Sequence, residues 1–300
     1  MTSALALGDL EARLAAGEPL TRGDLERLFD CPDLIEVGVV GEAALRRRTG
    51  SEITFCRVLE TRDGRVPAEL QAGEIRIVGD PASVDDAVAL VRQAASAANG
   101  TPVTGFSLAW LVDRVGTDDA SLTRVASALA GAGLTALAEV PLDLPLEVSR
   151  LVKVVAALRE GGLAIHRLTI TAAPQGRTRL DFVERAEQLA REAGDIRAFA
   201  PLPRVEPVDV PSTGYDDAKL VAAARAGCPS IERIQVDWQL YGPKMAQVAL
   251  TFGAGDLDAV AAVDDPSLGP RRSAVADIDR QIRAAGGDPV ERDGLYRRRG

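Results

Sequence analysis

The sequence predicts an α/β protein built as a (β/α) TIM-type barrel, with helices before the barrel and an extension after it. Short apolar runs alternate with amphipathic segments after Gly50. The runs follow one another at the spacing of a βαβ unit, about 25–35 residues. Seven or eight such units occur. Repeated βα units favour a parallel sheet covered by helices, and this number of units favours a closed barrel over an open sheet.

Three helices are predicted before the first barrel strand. Two short amphipathic segments cover residues 7–17 and 22–30. In residues 33–49 apolar side chains recur at helical spacing, and Arg46, Arg47 and Arg48 lie where a helix carboxyl end favours positive charge. The β-branched residues at 36–40 leave a strand as the alternative for that part of the segment.

The predicted barrel strands are the short apolar runs, and the predicted helices are the segments between them. The strands are residues 53–58, 74–79, 103–108, 134–139, 163–171, 196–201 and 231–238, with 257–263 as a candidate eighth. The helices are residues 83–98, 119–131, 145–160, 179–193, 215–227 and 241–252. No Gly-x-Gly-x-x-Gly turn follows the first strand, which disfavours a dinucleotide-binding fold.

The tail is predicted to complete the barrel. A charged helix over 273–285 precedes an extension that returns to the barrel, and the arginines at 297–299 are predicted to fray. We therefore expect three parts: an N-terminal helical segment (1–50), the barrel (51–265), and a C-terminal helix and extension (266–300). The proline-rich segment 200–215 is predicted to be a rigid loop on the barrel rim, with a flexible linker as the alternative.

The amino-acid composition excludes some classes of binding partner. The 300 residues carry 35 Lys and Arg against 44 Asp and Glu, a net charge of −9. Aromatic residues make up 4% of the chain. Such a chain lacks the basic surface and the stacking platforms of a nucleic-acid-binding protein. It also lacks an apolar run long enough to span a bilayer, and acidic residues stand where a signal peptide needs basic ones. We predict a cytoplasmic protein that binds neither nucleic acid nor membrane.

The scarce residues limit the chemistry. His166 is the only histidine, and the cysteines Cys31, Cys56 and Cys228 are far apart in the sequence. No Cys-x-x-Cys pair exists, so a zinc ribbon and a thioredoxin-type motif are excluded. A multi-histidine metal site is excluded as well. We predict no metal site, a structural role for His166, and buried thiols at Cys56 and Cys228.

A stretch near the C-terminus carries a resemblance. Residues 242–250 read Gly-x-Lys-x-x-Gln-Val-Ala-Leu after a Trp-containing strand, and Phe-Gly-Ala-Gly-Asp-Leu follows at 252–257. This order resembles the radical-SAM group of aminofutalosine synthase, dehypoxanthine futalosine cyclase and FO synthase. Segments 33–54, 75–79 and 198–202 resemble that group in the same order. Pro-x-x-Arg-Asp-x-x-Tyr at 289–296 resembles its terminus. The resemblance implies a radical-SAM-like barrel from menaquinone (futalosine pathway) biosynthesis or a related pathway.

The sequence differs from this group at the cysteine motif on which the group's chemistry depends. Its members carry Cys-x-x-x-Cys-x-x-Cys after the first barrel strand, and those thiolates hold a four-iron cluster. Here Cys56 stands alone, and no cysteine follows it before Cys228. Without three thiolates we expect no iron–sulfur cluster and hence no reductive cleavage of S-adenosylmethionine. Binding of S-adenosylmethionine itself stays open.

Candidate ligand-binding residues are those predicted at the carboxyl ends of barrel strands, where barrel enzymes place their sites. Glu139 ends the fourth strand, and the resemblance implies a position near the adenosylmethionine. Asp237, Trp238 and Gln239 end the seventh strand, where Trp238 is suited to stack on a ring and Gln239 to read a polar edge. The alternatives without a ligand are that Glu139 is a solvated carboxylate or ion-pair partner on the rim, and that the Trp238 indole packs against the barrel.

Three further residues complete the candidate set. Lys244 and Gln247 share a face of the following helix because they are three residues apart. That face lies either toward the pocket or on the surface. Asp265 loosely matches an acidic pair that the resemblance implies. No catalytic residue is assigned.

The sequence leaves two hypotheses. The first is a degenerate radical-SAM-like barrel, without a cluster, that acts as a binding or scaffolding partner of an active paralogue, or associates with itself. The second is an enzyme of acid–base chemistry, a lyase, hydrolase or isomerase, on a nucleoside- or chorismate-derived substrate. In the second case Glu139 and Asp237 or Asp265 would exchange protons.

Overall fold

The computed structural model of the protein describes residues 7–172, 176–205, 214–263, 269 and 275–299. Three helices come first, α1 (Gly8–Ala16), α2 (Arg22–Asp30) and α3 (Leu34–Thr49). The side chain of Asp33 caps α3 by accepting hydrogen bonds from the first backbone N–H groups of the helix. The helix prediction for this segment is confirmed, and the strand alternative at 36–40 is wrong.

The barrel consists of eight parallel strands, one of them in two pieces. They are β1 (Glu52–Thr61), β2 (Glu74–Ile77), β3 (Val103–Ser107), β4 (Ala136–Pro141), β5 (Ala164–Ile165) with β6 (Arg167–Thr169), β7 (Ala198–Phe199), β8 (Arg233–Asp237) and β9 (Asp256–Ala261). Neighbours pair in chain order, and β9 pairs with β1 to close the ring. Both β5 and β6 pair with β4, so they are one barrel strand interrupted at His166. The predicted barrel and its eighth strand are confirmed.

Within the described residues, eight α-helices accompany the strands. They are α4 (Val84–Ser96), α5 (Leu108–Val115), α6 (Asp119–Ala132), α7 (Val148–Glu160), α8 (Arg179–Ala193), α9 (Gly214–Gly227), α10 (Trp238–Thr251) and α11 (Val275–Ala284). Helix α5 was not predicted, because its apolar start continues the apolar run of β3. The Ser107 side chain ends that strand by accepting a hydrogen bond from the Ala109 N–H. None of the described helices is long and apolar enough to cross a membrane.

The strands separate an apolar shell from a polar lumen. On β1, Ile53 and Phe55 belong to the core between the sheet and the helices. The alternate residues Thr54 and Cys56 lie against carboxylates inside the barrel. Side chains of a strand alternate between its two faces, so the polar face of each strand must find its partners within the lumen.

The C-terminal extension adds a strand that the sequence did not predict. Strand β10 (Asp288–Glu291) lies parallel to the start of β1, with Asp288 opposite Glu52. The arginines after it are held in place, since Arg297 pairs with Asp293 and Arg299 with Glu291. The return of the extension to the barrel is confirmed, and the predicted fraying of 297–299 is wrong.

Candidate functional site

The amino end of the lumen is filled by the C-terminal extension. Arg292 donates to both carboxylate oxygens of Asp256, at 2.6 and 2.7 Å. Its guanidinium lies 4.1 Å from the centre of the Tyr296 ring, a cation–π contact. Gln235 donates to Asp256 at 2.7 Å and to the Tyr296 hydroxyl at 2.9 Å. The extension therefore closes this end of the barrel with paired groups.

A layer of ion pairs lies directly above this closure. The Asp258 carboxylate accepts hydrogen bonds from three arginines: Arg76 at 3.0 Å, Arg292 at 3.3 Å, and Arg167 at a very short distance. Burial alone would favour the protonated acid, but these three cations hold the pKa of Asp258 well below its usual range. Arg76 also donates to Glu74 at 2.7 and 2.9 Å. The remaining void beside Arg76 measures about 10 Å³, room for about one water.

The carboxyl end brings two of the predicted residues together. Arg204 donates to Asp237 at 2.9 Å, and its Nε lies 3.3 Å from a Glu139 oxygen. Burial disfavours charge on Arg204, yet the two carboxylates raise its pKa. Asp237 also caps α10 by accepting a hydrogen bond from the Leu240 N–H at 2.9 Å. Asp237 is thus committed on both oxygens, whereas Glu139 is held more loosely.

Arg204 was not among the predicted site residues. It lies in the proline-rich segment after β7, which the sequence placed on the barrel rim. Its backbone N–H donates to the Ile170 carbonyl at 2.9 Å, and the next N–H donates to Thr171 at 2.8 Å. The chain thus continues alongside the strand that precedes it in the barrel. This pairing fixes Arg204 at the carboxyl end of the lumen, which we call the mouth.

Glu60 is a second mouth residue that sequence reasoning missed. It lies on the same face of β1 as Thr54 and Cys56, so its side chain points into the lumen. The side chain is exposed to solvent. Even so, the surrounding protein desolvates the carboxyl group, and burial with the nearby charges of Asp237 and Asp258 raises the pKa of Glu60. Among the described residues it has no hydrogen-bond or ion-pair partner.

Two polar atoms near the mouth are buried without a hydrogen bond from any described residue. One is a carboxylate oxygen of Glu139, and the other is the hydroxyl of Thr169, a fully buried side chain. Thr169 is two residues after Arg167 and shares its lumen face. The Glu139 oxygen is the one that lies 3.3 Å from Arg204, so it has an ion-pair partner. Buried polar atoms normally have partners, so the Thr169 hydroxyl marks a place where a ligand or water completes the structure.

The other predicted residues do not join this cluster. Trp238 is the first residue of α10 and not the end of a strand, and its indole is fully buried with no face open for stacking. Gln239 is half-buried beside it. Lys244 and Gln247 lie on the exposed face of α10, opposite its buried alanines. Asp265 lies outside the described residues. Their roles in binding stay predictions.

The cysteines do not fit an iron–sulfur cluster. Cys56 is inside the barrel near Glu74, and Cys228 donates to the Val183 carbonyl in the helical layer. Cys31 follows α2. All three thiols are free and buried. Burial raises the pKa of Cys56 and of Cys228, which favours the thiol over the metal-binding thiolate. Three thiolates therefore do not meet at any one place in this fold.

His166 lies at the amino end of the barrel, away from the mouth. Its Nδ1 is 3.2 Å from the Asp195 carbonyl oxygen, and its ring meets the edge of Tyr296 with centroids 6.0 Å apart. Burial lowers the pKa of His166, so the ring is neutral at pH 7. The described residues contain no group of His, Cys, Asp and Glu side chains arranged to hold a metal ion.

Known sequences match part of this chain. A 5-amino-6-(D-ribitylamino)uracil–L-tyrosine 4-hydroxyphenyl transferase of Methanosarcina mazei is 34% identical over 137 residues, which cover 40% of this chain and 36% of the transferase. An aminodeoxyfutalosine synthase of Thermus thermophilus is 32% identical over 135 residues, with the same coverage of each chain. The match thus spans about a third of each relative. No family model matches the sequence.

Solved structures match nearly the whole chain. Methylornithine synthase (PylB) superposes with a TM-score of 0.65 and 14% identity, covering 93% of this chain and 97% of that enzyme. The hydrogenase maturase HydG from Carboxydothermus hydrogenoformans gives 0.66 and 14%, covering 97% and 80%. This chain shares their fold. The predicted resemblance to radical-SAM enzymes such as aminodeoxyfutalosine synthase is thus supported by sequence over 40% of the chain, and the predicted barrel fold is confirmed over nearly the whole chain.

The mouth has a definite chemical preference. Glu139 and Asp237 share the guanidinium of Arg204, Glu139 also lies 3.9 Å from Arg167, and Glu60 has no ion-pair partner among the described residues. The surplus of acceptors and negative charge favours ligands that bring hydroxyl, amine or ammonium donors. A ligand that brings a carboxylate would meet like charge, since Arg204 is already neutralised.

Proposed function

We propose that this protein is a radical-SAM-like barrel without an iron–sulfur cluster, which binds a small nucleoside-like molecule at its mouth and acts as a binding or scaffolding partner of an active relative. One observation carries the proposal: the polar mouth is intact, yet no cysteine borders it. The nearest thiol along β1, that of Cys56, is four residues from Glu60, about 13 Å at the rise of a strand.

The chemistry of the mouth supports the choice of ligand. A ribose or ribityl chain offers several hydroxyl donors, and an amine adds another. The names of both matched relatives include such groups, a D-ribitylamino chain in one and an aminodeoxyfutalosine in the other. Of the two substrate classes considered from the sequence, the surplus of carboxylates favours the nucleoside over a chorismate-derived acid.

Iron loading tests the cluster-free part of the proposal. We expect the purified protein, incubated anaerobically with iron and sulfide and then desalted, to retain no stoichiometric iron and no visible cluster absorption. The Thermus thermophilus aminodeoxyfutalosine synthase, treated side by side, is the positive control. Stoichiometric iron that is lost in a Cys56→Ser variant would contradict the proposal.

Ligand binding tests the mouth. Adenosine and S-adenosylmethionine should raise the melting temperature of the protein. A ligand at 100 times its Kd adds about 2.7 kcal/mol to stability. Glu139→Gln should reduce the shift, because it removes the loosely held carboxylate. Lys244→Gln, on the outer face of α10, is the matched control and should leave the shift unchanged. Equal shifts in both variants would place the ligand elsewhere.

Co-purification tests the partner role. A tagged copy of this protein should retain a radical-SAM relative from the same cells at a fixed stoichiometry, and size-exclusion chromatography should show one complex. Ligand binding without such a complex would leave the mouth assignment intact and remove the scaffolding role.

A second function is favoured by Glu60 alone. A carboxyl group whose pKa is raised, beside two carboxyl groups that pair with Arg204, is the arrangement by which enzymes separate a general acid from a general base. A lyase, hydrolase or isomerase acting on a nucleoside would use Glu60 as the acid. Nucleoside turnover that Glu60→Gln abolishes, with binding retained, would establish this second function over the first.

A further inference from the structure

A second concave surface lies outside the barrel, where the ends of α1 and α9 meet the last turns of α3. It encloses about 540 Å³, within the range of small-molecule sites. Apolar side chains line one part of it, and three arginines line another. The apolar residues include Leu14, Ala44, Ala226 and Pro229, and the arginines are Arg47, Arg48 and Arg225. We call this surface the arginine groove.

Arg225 is a buried cation at the base of the groove, with a relative exposure of 2%. Its terminal nitrogens donate to the carbonyl oxygens of Cys228, Ile231 and Glu232, at 2.8 to 3.0 Å. Its Nε is buried and has no hydrogen-bond partner among the described residues. Burial above all lowers the pKa of Arg225 to about 10, so the side chain is still charged at pH 7. Among the described residues no carboxylate lies within ion-pair distance of Arg225, and the charge of Glu187 acts on it only at longer range.

The other two arginines add charge that is also not balanced. Arg47 donates to the Ala15 carbonyl at 2.8 Å, and Arg48 is exposed. The one acidic residue that lines the groove, Glu18, lies 3.4 Å from the guanidinium of Arg13 and is already paired. The groove therefore holds a cluster of three arginines, although the net charge of the protein is −9.

We infer that the arginine groove binds a small organic anion, one that carries a phosphate or carboxylate group on an apolar or ring-shaped body. The anion would pair with the exposed guanidinium groups of Arg47 and Arg48, above the buried charge of Arg225, while its body packs against Leu14 and Pro229. Arginine suits both anions because its planar fork matches their oxygens.

A purely structural role explains only part of this arrangement. Positive side chains near helix carboxyl ends offset the helix dipole, and Arg47 and Arg48 do end α3. That role requires neither a groove of this size nor a buried guanidinium with an unpaired Nε. An anion in the groove accounts for both the size of the groove and the three arginines that line it without an ion-pair partner among the described residues.

Calorimetric titration with phenyl phosphate, benzoate, inorganic phosphate and benzyl alcohol tests the inference on the full chain. We expect one site for phenyl phosphate or benzoate, weaker binding of inorganic phosphate, and none of the alcohol. The stronger of the two aromatic anions identifies the headgroup. Affinity should fall as salt rises, because the attraction between charges is screened.

Variants locate the site. Arg48→Gln should weaken binding about tenfold or more, the loss of one charge-assisted contact. Pro229→Glu, an exposed change that places a carboxylate in the groove, should abolish it. Arg46→Gln is the matched control. It lies in the same turn of α3 but pairs with Glu42 and does not line the groove, so binding should stay within about twofold.

Clear outcomes would overturn the inference. No heat with any anion, in protein shown by circular dichroism to be folded, would leave the arginines with a structural role only. Equal weakening by Arg46→Gln and Arg48→Gln would indicate unspecific attraction. Anion binding that Glu139→Gln removes would assign the anion to the barrel mouth instead, which separates failure here from failure of the proposed function.

Discussion

The two ends of one lumen use the same side chains for different purposes. At the amino end Asp256, Asp258, Arg76 and Arg292 pair with one another and leave room for about one water. At the carboxyl end, among the described residues, the carboxyl group of Glu60 and the buried hydroxyl of Thr169 have no hydrogen-bond or ion-pair partner. Charge in a barrel is therefore not a sign of function by itself. The two ends differ in whether the protein itself supplies a partner for each polar group.

Removing a charge from the amino end should produce the largest effect. Asp256→Ala would leave Arg292 buried without its bidentate partner, which costs about 3–5 kcal/mol of unfolding free energy. Urea denaturation measures the loss. Glu42→Ala, which breaks an exposed pair with Arg46, is the control and should cost about 0.5 kcal/mol or less. Similar losses in both variants would show that the buried network does not stabilise the closed end.

A change at the mouth should cost less. Arg204→Gln removes the cation that Glu139 and Asp237 share and leaves Glu139 only Arg167 at 3.9 Å, but Arg204 and Glu139 are partly exposed to water, so we expect a loss of about 1–2 kcal/mol. Arg204→Lys should recover part of it, since a point charge replaces the fork. A loss from Arg204→Gln as large as that from Asp256→Ala, measured in the same urea series, would erase the distinction between the two ends.

The smallest effect concerns Glu60 and depends on pH. Its pKa is higher in the folded protein than in the unfolded chain, so its contribution to stability falls as pH rises through the range between the two values. Glu60→Gln removes that cost. The variant should melt about 1–2 °C above the wild type at about pH 8 and equal to it at about pH 4. Paired melting curves across that range check this, and a variant that melts lower at about pH 8 would contradict the unpartnered state of Glu60.

The sequence predicted the barrel well because each strand and each helix shows its own hydrophobic periodicity. Each short run became a strand, and Glu139 and Asp237 could be chosen because they follow such runs. Trp238 was assigned to a strand end because the cap at Asp237 starts the helix three residues earlier than the apolar pattern of α10 indicates. A cap residue alone gave too weak a signal to move that boundary.

Other site residues were missed for a common physical reason. The predicted first strand ended at residue 58, since Glu60 is charged and apolar runs define strands from sequence; the strand extends to Thr61. Arg76 and Asp258 are charged residues within strands as well, and only the closed ring shows that they pair across the lumen. Arg204 stands in a loop without periodicity. Pairing between distant segments leaves no trace in local pattern.

The tail strand has a consequence for how the molecule folds. Strand β10 pairs with β1 across more than two hundred residues, with Ser51 donating to the Asp288 carboxylate. Contacts between such distant segments form slowly, because a long loop must close first. Arg292, carried by the same extension, is the partner of Asp256 and one of the partners of Asp258. We therefore expect the closing of the amino end of the lumen to be among the slow steps of refolding.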